Sequence, residues 1–202
     1  MPIDGGHCTE GVEDVTHVCD TPAGARARLS RQSRYTCFGI ALLVLLPVAW
    51  FTYMQLQYAI HYAAHAACAG NLRAVRTAMM AYCADYDGRL PLPLNWCDEV
   101  DARVDARYRA PDRKWYDCPR LRGDGCGYCL NAALAGLEIK AVGQPEITVL
   151  VFDGPAGWNL SGGPGDVDYR HEPFRKGAHC LLADWSLSYI KRDGSRPARW
   201  EP

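Results

Sequence analysis

Acidic residues are missing from a long stretch of this chain. Its 202 residues include no Asp or Glu between Asp20 and Asp85, and the apolar run from Phe38 to Met54 carries no charge at all. Just before that run lie Arg26, Arg28, Arg31 and Arg34, and the next basic residue is Arg73. A basic flank on one side only is typical of the cytoplasmic end of a membrane-spanning helix. We therefore expect the N-terminus inside the cell and the bulk of the chain outside.

The chain also lacks the features of several function classes. Its formal net charge is -1 at pH 7, so no nucleic-acid partner is expected, because such a partner requires a clustered basic face. It contains no Gly-x-Ser-x-Gly, P-loop or His-Glu-x-x-His motif, each of which would indicate a defined chemistry. We expect neither an enzyme nor a cofactor or metal site.

Cysteine, by contrast, is abundant. The chain has 10 cysteines, many for a reducing cytosol. Seven follow the apolar run, namely Cys68, Cys83, Cys97, Cys118, Cys126, Cys129 and Cys180. An odd number leaves at least one thiol free or paired with another chain, and the connectivity does not follow from spacing. This usage favours an exterior, oxidising compartment for the part of the chain after the run.

The apolar run is at the short edge of what a bilayer requires. Phe38–Met54 has 17 residues, against about 20 for a spanning helix. Pro47 would break a soluble helix but is tolerated in a membrane, and Tyr53 and Tyr58 suit the interface. Two alternatives remain open. The run could be a buried helix of a soluble protein, or a cleaved signal peptide ending near Ala64-His65-Ala66.

The periodicity predicts one continuous helix from Phe38 to about Tyr86. Beyond the apolar run, a stripe recurs at helical spacing, formed by Leu56, Ile60, Ala63, Ala67, Leu72, Val75, Met79, Tyr82 and Tyr86. Gly88 is expected to end the helix. Strands are predicted at 146–153, 179–185 and 186–192, and a helical or turn segment at about 130–137.

Together these elements predict an α+β fold in which a long transmembrane helix continues into a domain with a small antiparallel sheet. We expect a flexible cytoplasmic tail at 1–36, the transmembrane part of the helix at 37–58, and an exterior domain at 59–202. The tail contains Cys8 and Cys19, which we expect to be reduced. The predicted location is the inner membrane, crossed once, with the domain in the periplasm or another extracytoplasmic space.

A series of short motifs in a fixed order resembles type IV pilin-like proteins and type II secretion pseudopilins, in particular a large pseudopilin-like family of planctomycete-type bacteria. The matching residues are Cys68, Asn71, Leu72, Tyr82, Asp85, Gly88, Pro91, Trp96, Cys118, Pro119, Tyr128, Asn131, Asp153, His171 and Asp184. The resemblance covers roughly residues 38–192. It implies a structural or assembly role in the cell envelope, with the membrane and other pilin-like or secretion subunits as partners. It also implies a disulfide between Cys68 and Cys118.

Two departures from the family pattern concern processing. Cys37 precedes Phe38 where the family has Gly, and Leu42 stands where the family has Glu. The prepilin peptidase site is therefore absent, and we expect a permanently anchored relative. A third departure is Trp185, which follows Asp184 where the family has Gly.

The remaining cysteines and histidines permit several pairings. Cys83 could bond to Cys97 across the helix end. Cys126 and Cys129 could form a disulfide or, with Cys118 and His179, a tetrahedral metal site. His171, His179, Cys180 and Asp184 have the residue types of a cysteine hydrolase. The alternatives to a structural role are thus a membrane-anchored binding module, favoured if Trp158, Trp185 and Trp200 share an exposed face, and a metal- or thiol-dependent enzyme.

Overall fold

The computed structural model describes residues 23–110, 113–171 and 177–202, in two units, Met1–Tyr53 and Met54–Pro202. The helices are α1 (Ala23–Asp85) and α2 (Trp96–Arg103), and the strands are β1 (Arg109–Ala110), β2 (Arg113–Lys114), β3 (Cys126–Asn131), β4 (Val149–Gly157), β5 (Ser161–Gly162), β6 (Gly177–Leu182) and β7 (Leu187–Lys191). Residues 23–36, expected in a flexible tail, are helical. The rest of that expected tail, with Cys8 and Cys19, lies outside the described residues.

In the first unit, α1 presents apolar side chains to the surroundings. Leu43 is 75% exposed and Phe51 64% exposed, and Pro47 lies within the helix without ending it. By length and composition, α1 is able to cross a membrane. The predicted long N-terminal helix is therefore present.

In the second unit, one stripe of α1 is buried. Cys68, Leu72, Val75 and Met79 have no exposed surface, and their spacing of four, three and four residues places them on one helical face. The predicted stripe is confirmed from Leu72 to Tyr82. It is wrong further upstream, because burial begins only at Ala64 and Leu56 and Ile60 are more than half exposed. It is also wrong at Tyr86, which is 44% exposed.

The helix ends where Gly88 was expected to stop it. Its last residue is Asp85, and the N–H of Gly88 returns to the carbonyl of Cys83 at 2.7 Å. Gly88 has a φ of +79°, a left-handed conformation that costs little for glycine and more for any residue with a Cβ.

The sheet has five strands in the order β5-β3-β4-β6-β7. Its pairs are antiparallel except for β3 with β5, which is parallel. The expectation of a purely antiparallel sheet is therefore wrong. The reason is topological: β4 runs antiparallel to β3, so a single chain reversal after β4 brings β5 back in the direction of β3, on its other side.

The predicted strands at 146–153, 179–185 and 186–192 correspond to β4, β6 and β7, and β6 pairs with β7 as a hairpin, with His179 opposite Tyr189. The strand β3 was missed, since a turn or helix was expected from residue 130. All six residues of β3 are buried, so the sequence shows no alternation of polar and apolar residues that would distinguish a strand from a buried helix.

Two glycine substitutions, one within α1 and one at its end, should change the free energy of unfolding in opposite directions. Gly88→Ala should lower the free energy of unfolding by about 1 kcal/mol, because alanine is strained at positive φ. Gly70→Ala should raise it by about 0.5–1 kcal/mol, since an added Cβ at Gly70 in α1 meets no atom within 4 Å. Urea unfolding of the full chain in detergent, followed by circular dichroism, measures both. Equal effects of the two changes would contradict this description of the helix end.

Candidate functional site

A row of polar side chains crosses the face of the sheet that α1 covers. The register places Tyr128 of β3 opposite Asp153 of β4, and His179 of β6 opposite Tyr189 of β7. Phe152 pairs with Cys180, so the next residue of β4 and the preceding residue of β6, Asp153 and His179, are also neighbours. Side chains on one face of a sheet line up across neighbouring strands. Strand pairing therefore assembles this row from residues far apart in the sequence.

Asp153 is the centre of the row and is fully buried. Its Oδ2 atom accepts the backbone N–H of His179 at 2.7 Å and lies 3.2 Å from His179 Nδ1 and 3.4 Å from His171 Nε2. Burial acts to raise the pKa of Asp153, but the hydrogen bonds of His171 and His179 and the charge of Arg170 outweigh it, and the pKa lies well below its usual range. The carboxylate is therefore ionised at neutral pH.

Three imidazole rings lie together beside this carboxylate, and two of them contact it. His65 comes from α1, His171 from the segment before β6, and His179 from β6 itself. The ring centroids are 4.2 Å apart for His65 and His179, 4.5 Å for His171 and His179, and 5.7 Å for His65 and His171. Half of the six histidines in the sequence are thus gathered in one cluster, which we call the Asp153–histidine cluster.

Two lone pairs of this cluster are not satisfied by donors. Asp153 Oδ1 and His179 Nε2 are buried and have no hydrogen-bond partner among the described residues. All three donors to Asp153 reach the same oxygen, Oδ2. A buried acceptor without a donor costs about 1–3 kcal/mol, so this imbalance requires an explanation.

Arg170 supports the cluster from the side of β3. Its guanidinium donates to the carbonyl of Gly127 at 2.7 Å and to that of Gly154, and its Nε lies 3.3 Å from Asp168. A Cβ at position 127 would lie 2.5 Å from Arg170 Nη1. Gly127 in the Cys-Gly-Tyr-Cys motif is therefore explained by the close approach of a buried cation.

A disulfide joins Cys68 of α1 to Cys118, with a Cα–Cα distance of 5.4 Å. This is the pairing that the family resemblance implied. The Tyr128 hydroxyl donates to the carbonyl of Cys68 at 3.2 Å, and Asn71 Nδ2 donates to the carbonyl of Asp117 at 2.9 Å. His171 Nε2 lies 3.9 Å from Cys118 Sγ, so the disulfide is next to the Asp153–histidine cluster.

The other predicted disulfides are not formed, because Cys83, Cys97, Cys126 and Cys129 are free, buried thiols. The sulfur of Cys97 accepts the N–H of Asn159 at 3.3 Å, and its side chain hydrogen-bonds to that of Cys126. Cys97 therefore faces Cys126 rather than Cys83. Cys126 and Cys129 pack in different apolar clusters of the sheet, so they form neither a disulfide nor a shared metal site.

The hydrolase constellation is not assembled either. Cys180 is buried on the face of the sheet opposite His179, in the cluster with Phe152, and burial raises the pKa of its thiol to about 12. Asp184 is exposed, and its carboxylate accepts the N–H of Ser186 at 2.8 Å. A nucleophile needs a base within reach and an accessible thiolate, and Cys180 has neither.

The remaining motif residues hold the fold together. Asn131 donates to the carbonyls of Val149 at 2.7 Å and Trp200 at 3.0 Å. Asp85 pairs with Arg103 at 3.2 Å. Buried side-chain amides commonly serve this role, since they satisfy backbone groups that no strand reaches.

The three tryptophans that could have formed a binding face are in separate places. Trp158 packs against Trp115 and Tyr116. Trp200 packs edge-on against Phe152, and Trp185 packs on the cluster of α1. The three tryptophans therefore do not share the exposed face that would have favoured a binding module.

Sequence reasoning missed His65, Arg170 and Tyr189 as members of the site. His65 was noted only as part of a sequence that resembles a cleavage site. It lies three residues before Cys68, and residues three apart share a helical face, so the disulfide partner could have pointed to it. Tyr189 is placed by strand pairing, and Arg170 lies in a turn whose guanidinium contacts β3 and β4; no local pattern reveals either contact.

Comparison with protein-family models, curated proteins and solved structures finds no match to this chain.

Loss of the disulfide should destabilise the second unit. It closes a loop with a sequence separation of 50, for which chain entropy predicts about 4 kcal/mol. We expect Cys118→Ser to lower the free energy of unfolding by about 2–4 kcal/mol in detergent, while Cys37→Ser, at an exposed free cysteine, leaves it unchanged. An equal loss of unfolding free energy when the wild type is reduced would show that the effect comes from the disulfide bond. An unchanged unfolding midpoint in Cys118→Ser would contradict the proposed contribution of the disulfide to stability.

The buried thiols should be unreactive in the folded protein. Burial raises the pKa of Cys83 to about 11 and that of Cys129 to about 12, so both stay protonated below those values. Maleimide at pH 7 to 9 should therefore leave Cys83, Cys129 and Cys180 unmodified until denaturant is added, when mass spectrometry should find all three labelled. Rapid labelling of any of them in the native state would restore the thiol-enzyme hypothesis.

Proposed function

We propose that this protein is a single-pass, membrane-anchored, pilin-like protein with a structural or assembly role in the cell envelope. The observation that supports this proposal best is the change of character along α1. The same helix has exposed apolar side chains in its first part and a buried stripe from Ala64 onward. Such a helix requires an apolar solvent for one part and a protein partner for the other.

The exposed apolar segment is longer than the sequence run suggested. Exposed apolar residues continue from Phe38 through Tyr62, a span of 25 residues. At about 1.5 Å per residue this is about 37 Å, enough for a hydrocarbon core of about 30 Å and part of the interface. Tyr53, Tyr58 and Tyr62 lie towards its outer end, where aromatic side chains favour the membrane–water boundary.

The orientation follows from charge and redox chemistry. The arginines that precede Phe38 favour a cytoplasmic N-terminus, and a disulfide between Cys68 and Cys118 suits an oxidising exterior. The protein therefore displays the unit after Tyr62 outside the cytoplasm. Because Leu42 stands where the pilin-like family has Glu, we expect the protein to act as a fixed subunit or platform. Its partners would be other pilin-like or secretion subunits.

The role is structural rather than catalytic. The motif residues Asn71 and Asn131 donate to backbone carbonyls of other segments, and Asp85 pairs with the side chain of Arg103. The thiols of Cys83, Cys129 and Cys180 are buried with raised pKa values. These properties support a rigid exterior domain on an anchor.

Membrane fractionation of the full chain, expressed in a Gram-negative host, tests the anchor. We expect the wild type in the inner membrane, extracted by detergent but not by salt or carbonate. The double variant Leu45→Arg/Val48→Arg should shift to the soluble fraction, because each arginine costs about 2.5–3.5 kcal/mol at the centre of a bilayer. The control Leu94→Arg, at a residue that is 88% exposed in the second unit, should stay in the membrane.

Topology is measured in the same cells. Protease added to spheroplasts should digest the domain after Tyr62, and Cys8 and Cys19 should react with an impermeant maleimide only after lysis. Labelling of those two from outside, or a soluble wild type, would overturn the proposal.

A further inference from the structure

We infer that the Asp153–histidine cluster is a binding site for a divalent transition metal of the zinc class, with Asp153, His171 and His179 as ligands and His65 as the fourth. Imidazole and carboxylate are ordinary ligands of Zn²⁺. The four side chains come from α1, β4, β6 and the segment before β6, so the metal would join the helix to the sheet.

The spacing of the ligand atoms fits a metal. Asp153 Oδ2 is 3.4 Å from His171 Nε2 and 3.2 Å from His179 Nδ1, and the three atoms all lie within 4.8 Å of one another. In a tetrahedral zinc site with bonds of about 2.0–2.1 Å, neighbouring ligand atoms are roughly 3.3 Å apart. Only small side-chain movements are needed for these atoms to share one cation.

Burial and unsatisfied lone pairs give a second, independent indication. Asp153, His171 and His179 are each less than 10% exposed, and Asp153 Oδ1 has no hydrogen-bond partner among the described residues. A divalent cation bound by both oxygens of the Asp153 carboxylate would engage Oδ1 as well as Oδ2. The buried guanidinium of Arg170 is held instead by Asp168 and two carbonyls.

The His65 ring lies tilted against that of His179, with ring centroids 4.2 Å apart, and so brings a third imidazole beside the three ligands. Four protein ligands make a closed site, which is the pattern of structural rather than catalytic zinc. The site lies one helical turn before Cys68, so the metal and the disulfide would fasten neighbouring turns of α1 to the rest of the unit.

A second ligand set shares His171, since Cys68, Cys118 and His171 also group closely. While the disulfide is formed its sulfurs are not thiolates and do not bind zinc strongly. With the disulfide formed, the metal therefore binds at the Asp153–histidine cluster. Nitrogen and oxygen ligands can be distinguished from thiolate ligands by spectroscopy.

The test uses the full chain purified in detergent with the disulfide intact, stripped by a chelator and dialysed against zinc chloride. We expect one zinc ion per chain by elemental analysis, and a zinc-dependent rise in the melting temperature. His179→Gln and Asp153→Asn should each weaken zinc binding at least about tenfold. The control Asp184→Asn, which removes an exposed carboxylate, should bind like the wild type.

Should these buried variants fail to fold, His65→Gln provides a milder change, because His65 is only partly buried. It should form the disulfide, melt cooperatively without zinc, and lose most of the zinc-dependent shift. Cobalt substitution should give the visible bands of a tetrahedral nitrogen and oxygen site. A thiolate charge-transfer band, binding only after reduction, or wild-type affinity in the His179 and Asp153 variants would each overturn the inference.

Discussion

The second unit depends on the contact between the buried stripe of α1 and one face of the sheet. Leu72, Val75 and Met79 share an apolar cluster with Leu130 of β3 and Val151 of β4. Each such side chain contributes about 1.5–3 kcal/mol when fully buried. The covering element is a single helix that also carries an exposed apolar segment, so one stretch of chain supplies both the candidate membrane span and the helix that packs on the sheet.

This apolar contact encloses a charged centre, which is unusual in a unit of this size. An ionised carboxylate such as Asp153 is costly to bury unless it is paired and hydrogen-bonded. Here two imidazoles and a backbone N–H supply the pairing. Buried ion pairs often add little net stability, yet removing one partner is strongly destabilising. The cluster therefore favours one register of the strands and one placement of α1, whether or not it adds to the total stability.

The turn after β6 places a large aromatic residue in a strained backbone conformation. Trp185 has a φ of +67°, the left-handed conformation that a glycine adopts at low cost. The indole is partly buried against the apolar cluster that includes the end of α1. The packing of a large aromatic side chain thus offsets the strain of the turn, a balance that the sequence position alone does not reveal.

Local patterns in the sequence were sufficient for the features that depend on neighbouring residues. The apolar run, the helical stripe from Leu72 to Tyr82, the helix end at Gly88 and the hairpin of β6 and β7 follow from periodicity and turn chemistry. The upstream limit of the buried stripe, the strand β3 and the parallel strand β5 did not, because each depends on which surface another element covers. The same reason applies to the site: Asp153, His171 and His179 could be named from the sequence, but only strand register and helix packing bring them together with His65 around one point.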